Sequence, residues 1–291
     1  MIKSLFRYPA DRPRTAIVIG TTATSFAVYL LADSPWILLG YWALMLVPRG
    51  AMSAWNHHHQ HCMTFRSGPA NRLLEICYGL HTGMTTNVWV LHHVFGHHLN
   101  YLDQSKDESR WMRPDGTKMG TWEYIFSITV TAYPRAYAVG KRYPKHRTTF
   151  VVFGLLTLAL VVTAVVYRPM PGLIVFALPM LTTLMWTSWA TFDHHAGLPT
   201  DDPWEASYNI ESRLYNFVSA NLGYHTAHHL RPGTHWSRLP ELHDKIKHQI
   251  PEHLRGTWAI VRPEPATAST PSAKPDSGVG LVTPAAVTPP Q

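Results

Sequence analysis

The sequence predicts an all-α integral membrane protein: four transmembrane helices in two hairpins, with a cytoplasmic helical cap that carries clustered histidines. Three observations lead there. Apolar residues are concentrated into four segments, cationic residues avoid the hairpin turns, and most of the nineteen histidines fall into four tight clusters.

The four segments come in pairs. Residues 15–32 and 36–55 lie near the start, split by Asp33-Ser34-Pro35, and residues 148–167 and 172–192 follow a long central stretch. The third segment, TTFVVFGLLTLALVVTAVVY, is uncharged and long enough to cross a hydrocarbon core of roughly 30 Å. A buried helix of a soluble protein is the alternative for any one segment. It is strongest for residues 36–47, which reach spanning length only by running through Pro48 toward Trp55. No small-residue cleavage site follows the first segment, so it reads as a span and not as a removed signal.

Charge sets the orientation. Lys3, Arg7, Arg12 and Arg14 precede the first span and the stretch 49–147 is rich in Lys and Arg, whereas the two turns carry only Arg168. The positive-inside rule then puts both termini and the central stretch in the cytoplasm, across an inner membrane if the host is bacterial. All four histidine clusters fall on that side, so they are free to share one site. The net charge of +7 fits this topology and attraction to anionic headgroups, or a docking face for an acidic redox partner. No nucleic-acid-binding motif accompanies it. Cys62 and Cys77 lie on the reducing side and are too few for a disulfide framework or an iron–sulfur site. Residues 1–261 read as one membrane domain. Residues 262–291, rich in Pro, Ala, Thr and Ser, read as a disordered tail.

The clusters are His57-His58-His59-Gln60-His61, His92-His93-Val94-Phe95-Gly96-His97-His98, Asp193-His194-His195 and His225-Thr226-Ala227-His228-His229. Packing never calls for runs of histidine, but neutral imidazole is the commonest side-chain ligand of transition metals. His57 and His61 stand one helical turn apart, as do His93 and His97. His98 is rotated toward an adjacent position, and His225, His228 and His229 repeat spacings of three and four. Residues 54–65 continue the second span, and residues 85–99 and 216–230 are expected to be helical despite Gly96 and Gly223. Nine well-placed histidines are too many for one ion and suit two. No Glu-x-x-His and no His-Glu-x-x-His occurs, which excludes a carboxylate-rich di-iron bundle and a zincin peptidase. His58, His59, His92 and His194 neighbour these positions. His81, His146, His243, His248 and His253 stand alone and read as surface or supporting residues.

The pattern resembles the integral-membrane fatty acid desaturases and their hydroxylase relatives, over roughly residues 15–250. Their three histidine boxes appear as His57-x3-His61, His93-x3-His97-His98 and His225-x2-His228-His229, and the family's further histidine best fits His195 in His195-Ala196-Gly197-Leu198. The run Asn221-Leu222-Gly223-Tyr224-His225 through Pro232 looks particularly close, as does Leu239-Pro240-Glu241-Leu242-His243. The resemblance implies two iron ions held by these nine histidines, O2 as co-substrate, and hydrogen abstraction from a lipid acyl chain. It also implies a separate electron donor such as ferredoxin with its reductase. His58, His92, Asp193, His194 and Asn221 are candidates to orient the ligands, and Asn216 joins them. Two features depart from some family members. The third box begins with His225 in place of glutamine, and no fused His-Pro-Gly-Gly heme motif occurs. Thr191 stands where some acyl-CoA desaturases place an asparagine.

Three functions are consistent with this sequence. The first is an acyl-lipid desaturase. The second is a hydroxylase or ketolase acting on alkanes, fatty acids or carotenoids, a reading the second box shares with alkane hydroxylases. The third is a non-catalytic metal-binding or metal-transport membrane protein, disfavoured because a permeation path calls for polar ligands near the midplane. Residues 79–86 (GLHTGMTT) suit close helix packing or an acyl tunnel, and the many tryptophans suit interfacial anchoring.

Overall fold

In the computed structural model the described residues are 5–257; Lys3 and the stretch 262–291, read above as a tail, lie outside them. The chain is mostly helical. Helix α1 (Asp11–Leu31) is followed by α2 (Pro35–Leu44) and α3 (Leu46–His61). After α4 (Gly68–Thr82) comes a π-helix, Trp89–His98, and then α5 (Thr121–Val139) and α6 (Pro144–Tyr167). A short α7 (Pro169–Gly172) leads through a π turn, Leu173–Ala177, into α8 (Leu178–His195). The remainder forms α9 (Arg213–Ser219), α10 (His225–Leu230) and α11 (Leu239–Ile246), with a parallel two-residue pair of β1 (Asn209–Ile210) and β2 (Arg255–Gly256).

Three helices are long and apolar enough to cross a membrane: Asp11–Leu31, Pro144–Tyr167 and Pro169–His195. The expected continuous span over 36–55 is instead two helices, α2 and α3, bent by 48° and counting as a fourth span if taken together. Pro48 supplies the reason. A proline inside a helix lacks the N–H and its ring clashes with the carbonyl four residues back, which is Leu44, where α2 ends. The π turn before α8 has the same cause in Pro179.

The outer faces of these helices are apolar yet exposed. Leu31, Trp36, Leu44, Leu155 and Val166 all project from the protein, a surface suited to lipid and not to water. Polar links tie the apolar helices together at the end remote from the histidines. Tyr29 Oη donates to Ala164 O at 2.9 Å, and Arg168 pairs with Asp33 and donates to the Tyr29 and Ala32 carbonyls. The lone cation of the second turn is therefore held by the first turn. Close approach of α6 and α7 depends on Gly172, where a Cβ would stand 2.7 Å from Ala164 and Val165 backbone atoms.

Residues 56–147, expected mainly as a loop with one helical histidine segment, contain α4, the π-helix and α5. Helix α5 was open to reading: Ile125, Ile128, Ala132, Ala136 and Val139 recur at helical spacing and are all buried. It packs against α8 and the π-helix and so walls in the histidine region. The expected helix over 216–230 is broken. Ala220 and Asn221 adopt left-handed φ values of 55° and 65°, and the chain turns there between α9 and α10. Asn216 pins that turn, its side chain donating to Ile210 O at 2.7 Å and accepting from Gly223 N at 3.1 Å.

Candidate metal centre

The eight box histidines and His195 come together from four helices into two adjoining groups. In the first, one ring nitrogen from each of His57, His61, His93, His98 and His228 lies within 4.8 Å of the others. His57 Nε2 is 2.8 Å from His228 Nε2, and His98 Nε2 is 2.9 Å from His93 Nε2 and 3.0 Å from His228 Nε2. In the second, His97, His195 and His229 are brought together in the same way. His225 joins them, its Nε2 being 2.9 Å from that of His195 and 3.2 Å from that of His229.

Local geometry explains the division. On α3 and α10 residues four apart share a face, so His57 pairs with His61 and His225 with His229. His228, rotated by about 100° from His229, points to the other group. The second box lies on a π-helix, where residues five apart come into line. That brings His93 against His98 and releases His97 to the second group, a pairing that an α-helical reading of His93 and His97 does not give. The π-helix and α10 each serve both groups.

Metal ions fit these groups on their donor chemistry. Two nitrogens bound at about 2.1 Å and at right angles on one ion stand about 3 Å apart, which is the spacing of the imidazole pairs above. His61 Nε2 is buried and has no hydrogen-bond partner, as a nitrogen reserved for a metal would be. Burial, then crowding by neighbouring imidazoles, holds His57, His93, His98, His225, His228 and His229 well below the ordinary histidine range. His61 is brought down to about 3, chiefly by burial. All are thereby kept neutral, the form that binds metal.

The neighbouring residues divide by what they touch. His194 engages Tyr208 O at 3.0 Å and Tyr215 Oη at 3.1 Å through its two nitrogens, and its ring stacks on His225 at 4.0 Å. It thus supports a group member without joining either group. Asp193, one residue earlier on α8, is half-buried. His58 turns toward a small cavity bounded by Asp11, Arg14 and Trp236, and His92 is buried near Arg135 and Glu108. Neither lies in a group. Asn221 was expected to orient an imidazole; its amide donates to Trp236 O at 3.1 Å instead. His59 bonds Thr64 and Glu75, away from both groups. Thr191 donates to Thr187 O within its own helix.

Several contacts of the groups carried no sequence signal. His97 Nδ1 donates to both oxygens of Asp107, at 2.8 and 3.0 Å, and His195 Nδ1 donates to Ala206 O at 2.9 Å. The rings of Trp89 and Tyr101 lie 5.0 Å from His57 and 4.4 Å from His229. Asp107 sits in a polar stretch beside Asp103 and Glu108, and nothing in its spacing singles it out.

A cavity of about 430 Å³ opens beside the groups. His57, His93, His195 and His225 line one end; Val47, Gly50 and Trp186 line the other. Its length follows α3 from Val47 to His57, about 15 Å at 1.5 Å per residue. A Cβ on Gly50 would stand 2.9 Å from the Trp186 ring, so glycine there lets the indole lie against α3. Of the stretch 79–86, Gly79 packs against Thr85 and Thr157, while Gly83 and Thr85 border a separate apolar groove between α6 and α8.

Apolar helices of spanning length and buried histidine groups able to hold metal ions are the features of a membrane metalloprotein. Residues 34–260 match the family model described as fatty acid desaturase, and the chain belongs to that family. Comparison with curated proteins and with solved structures gives no match. Family and histidine groups together make it a desaturase- or hydroxylase-type oxidoreductase.

Proposed function

We propose that this protein is an O2-dependent di-iron oxidoreductase that introduces a double bond into the acyl chain of a fatty acid or lipid. The observation that carries the reading is the apolar cavity ending at the histidine groups. In this reading His57, His61, His93, His98 and His228 hold one iron, and His97, His195, His225 and His229 hold the other. The bound pair supplies the capacity to activate O2 and remove hydrogen from an unactivated methylene.

The chain's own residues do the rest. The cavity walls seat a hydrocarbon chain along α3 and α8 and keep water from it. Of the wall hydroxyls, Ser53 and Thr187 bond each other, Thr187 and Thr191 donate to backbone carbonyls, and Ser219 Oγ is buried without a hydrogen-bond partner. The first three therefore add no polar claim on the substrate. Trp89 packs against His57 and His93 at the metal end, and Trp186 against Gly50 closes the far end. A hydrocarbon chain lying along this cavity brings a methylene beside the histidines.

The proposed topology is two membrane hairpins, with termini and histidine cap in the cytoplasm. The Arg168–Asp33 pair supports it by joining the two turns at the opposite end. A separate one-electron donor of the ferredoxin type is part of the proposal. Hydroxylation uses the same cavity and ligands, so product mass separates the two reactions.

The test is expression with a suitable reductase system, followed by lipid mass spectrometry and metal analysis. Loss of two hydrogens from an acyl chain and two irons per chain are expected, with iron and product both falling on His97→Ala or His228→Ala. A gain of one oxygen would transfer the assignment to a hydroxylase. One zinc, untouched by either substitution, would end the di-iron reading.

A further inference from the structure

The two histidine groups are backed differently, and the difference centres on one carboxylate. Asp107 is buried, and both its oxygens accept from His97 Nδ1. It is itself aimed: Oδ1 also accepts from Ser109 N at 2.7 Å, and its own N–H donates to Asp103 O at 2.9 Å. His195 and His225 in the same group turn Nδ1 toward backbone carbonyls, Ala206 O at 2.9 Å and Leu222 O at 3.4 Å. Only His229 of that group has an unpartnered Nδ1. In the five-histidine group, Nδ1 of His98 and of His228 is buried without a hydrogen-bond partner. Among the described residues no carboxylate bonds any of those five imidazoles.

A carboxylate behind a ligating histidine fixes its tautomer and ring orientation and raises its basicity. Nearby negative charge in a buried setting also favours the cation in front of it. The first effect acts on the ion that the histidine binds, and the second is strongest there because it weakens with distance.

We propose that Asp107 is a positioning residue for one of the two metal sites and not for the other, a difference beyond the five and four imidazoles that the groups supply. This rests on the two-site reading given above. His97, held by Asp107 with Nε2 presented to His195 Nε2 at 3.3 Å, is the more basic donor, and its site is the one that responds to the carboxylate. The buried pair of Glu75 with His59 is a built-in comparison: a carboxylate and an imidazole at 3.4 Å, outside both groups.

The test titrates metal-free, detergent-solubilised full-length protein with cobalt(II), reading absorbance and bound metal, and records Mössbauer spectra of the iron-loaded form. Wild type should bind two ions and give two distinguishable iron signals. Asp107→Asn, which keeps the shape and removes the charge, should weaken one binding step by about 10- to 100-fold. The other step should stay within about twofold, and one iron signal alone should shift. Asp107→Glu should restore part of the loss, and Glu75→Gln should leave both steps unchanged. Equal weakening of both steps in Asp107→Asn, or no weakening of either, would overturn the inference while leaving the two-site reading intact. A single ion per chain would overturn the two-site reading itself. If Asp107→Asn fails to fold, Asp107→Glu decides: it should alter one binding step and leave the other within about twofold, and equal change in both would overturn the inference.

Discussion

The apolar helices and the histidine cap are built on opposite terms. In the helices, residues such as Leu155 and Val166 face outward, and what each contributes is hydrocarbon; another apolar side chain serves as well. The few specific contacts there, Tyr29 with Ala164 and Arg168 with Asp33, tie helix ends and turns. In the cap, position is everything. Buried imidazoles meet at 2.8–3.3 Å, and a turn with two left-handed residues delivers His225 to its place. Tolerance to substitution should therefore fall steeply from one region to the other.

The largest expected effect away from the clustered histidines is at Gly223. A Cβ there would stand 2.2 Å from Ile210 O and 2.7 Å from Asn216 Oδ1, both fixed by hydrogen bonds. Gly223→Ala should cost about 3 kcal/mol or more, because backbone and a pinned amide have nowhere to move. Thermal stability and bound metal should both drop, and an unchanged Tm would show that the histidine region is more pliant than its contacts imply.

Acid should separate the regions next. His57, His93, His98, His225, His228 and His229 have folded pKa values below the unfolded value of about 6.5, and His61 is near 3. Between those values the unfolded chain binds more protons, so stability is fully present above about pH 6.5 and is lost as pH falls toward 3. The metal-free protein should show a Tm that is flat from pH 7 upward in this respect and declines steadily below 6.5. Replacing His61 by Gln should shallow that decline, whereas substitutions on the lipid-facing helices should not change its slope.

The smallest effects belong to the apolar helices. Arg168→Met removes the link between the turns, and because Asp33 is largely exposed the loss should be about 1–2 kcal/mol, mostly from the freed carbonyls of Tyr29 and Ala32. Val152→Ala on an outer face should stay within about 0.5 kcal/mol. A Val152 variant as damaging as Gly223→Ala would erase the contrast between the regions.

The sequence alone marked the span segments, because hydrocarbon demands length and apolarity that composition displays directly. It also marked the box histidines, because a four-residue spacing places two imidazoles on one helical face. Helix α5 was equally open to reading from Ile125, Ile128 and Ala132. The second span over 36–55 was expected to run straight through Pro48, although the break there is a local matter of sterics at the carbonyl of Leu44.

What only the tertiary structure decided was partition. Which of nine histidines belong together depends on a π-helix that replaces four-residue alignment with five-residue alignment, and on a turn at Ala220 and Asn221 that aims α10. Asp107 reaches His97 across a loop of ten residues, a contact set by how that loop packs and not by any periodicity. Local rules of helix geometry and burial are written along the chain. The assembly of one centre from α3, the π-helix, α8 and α10 is a property of packing between distant segments, and it appears only when they meet.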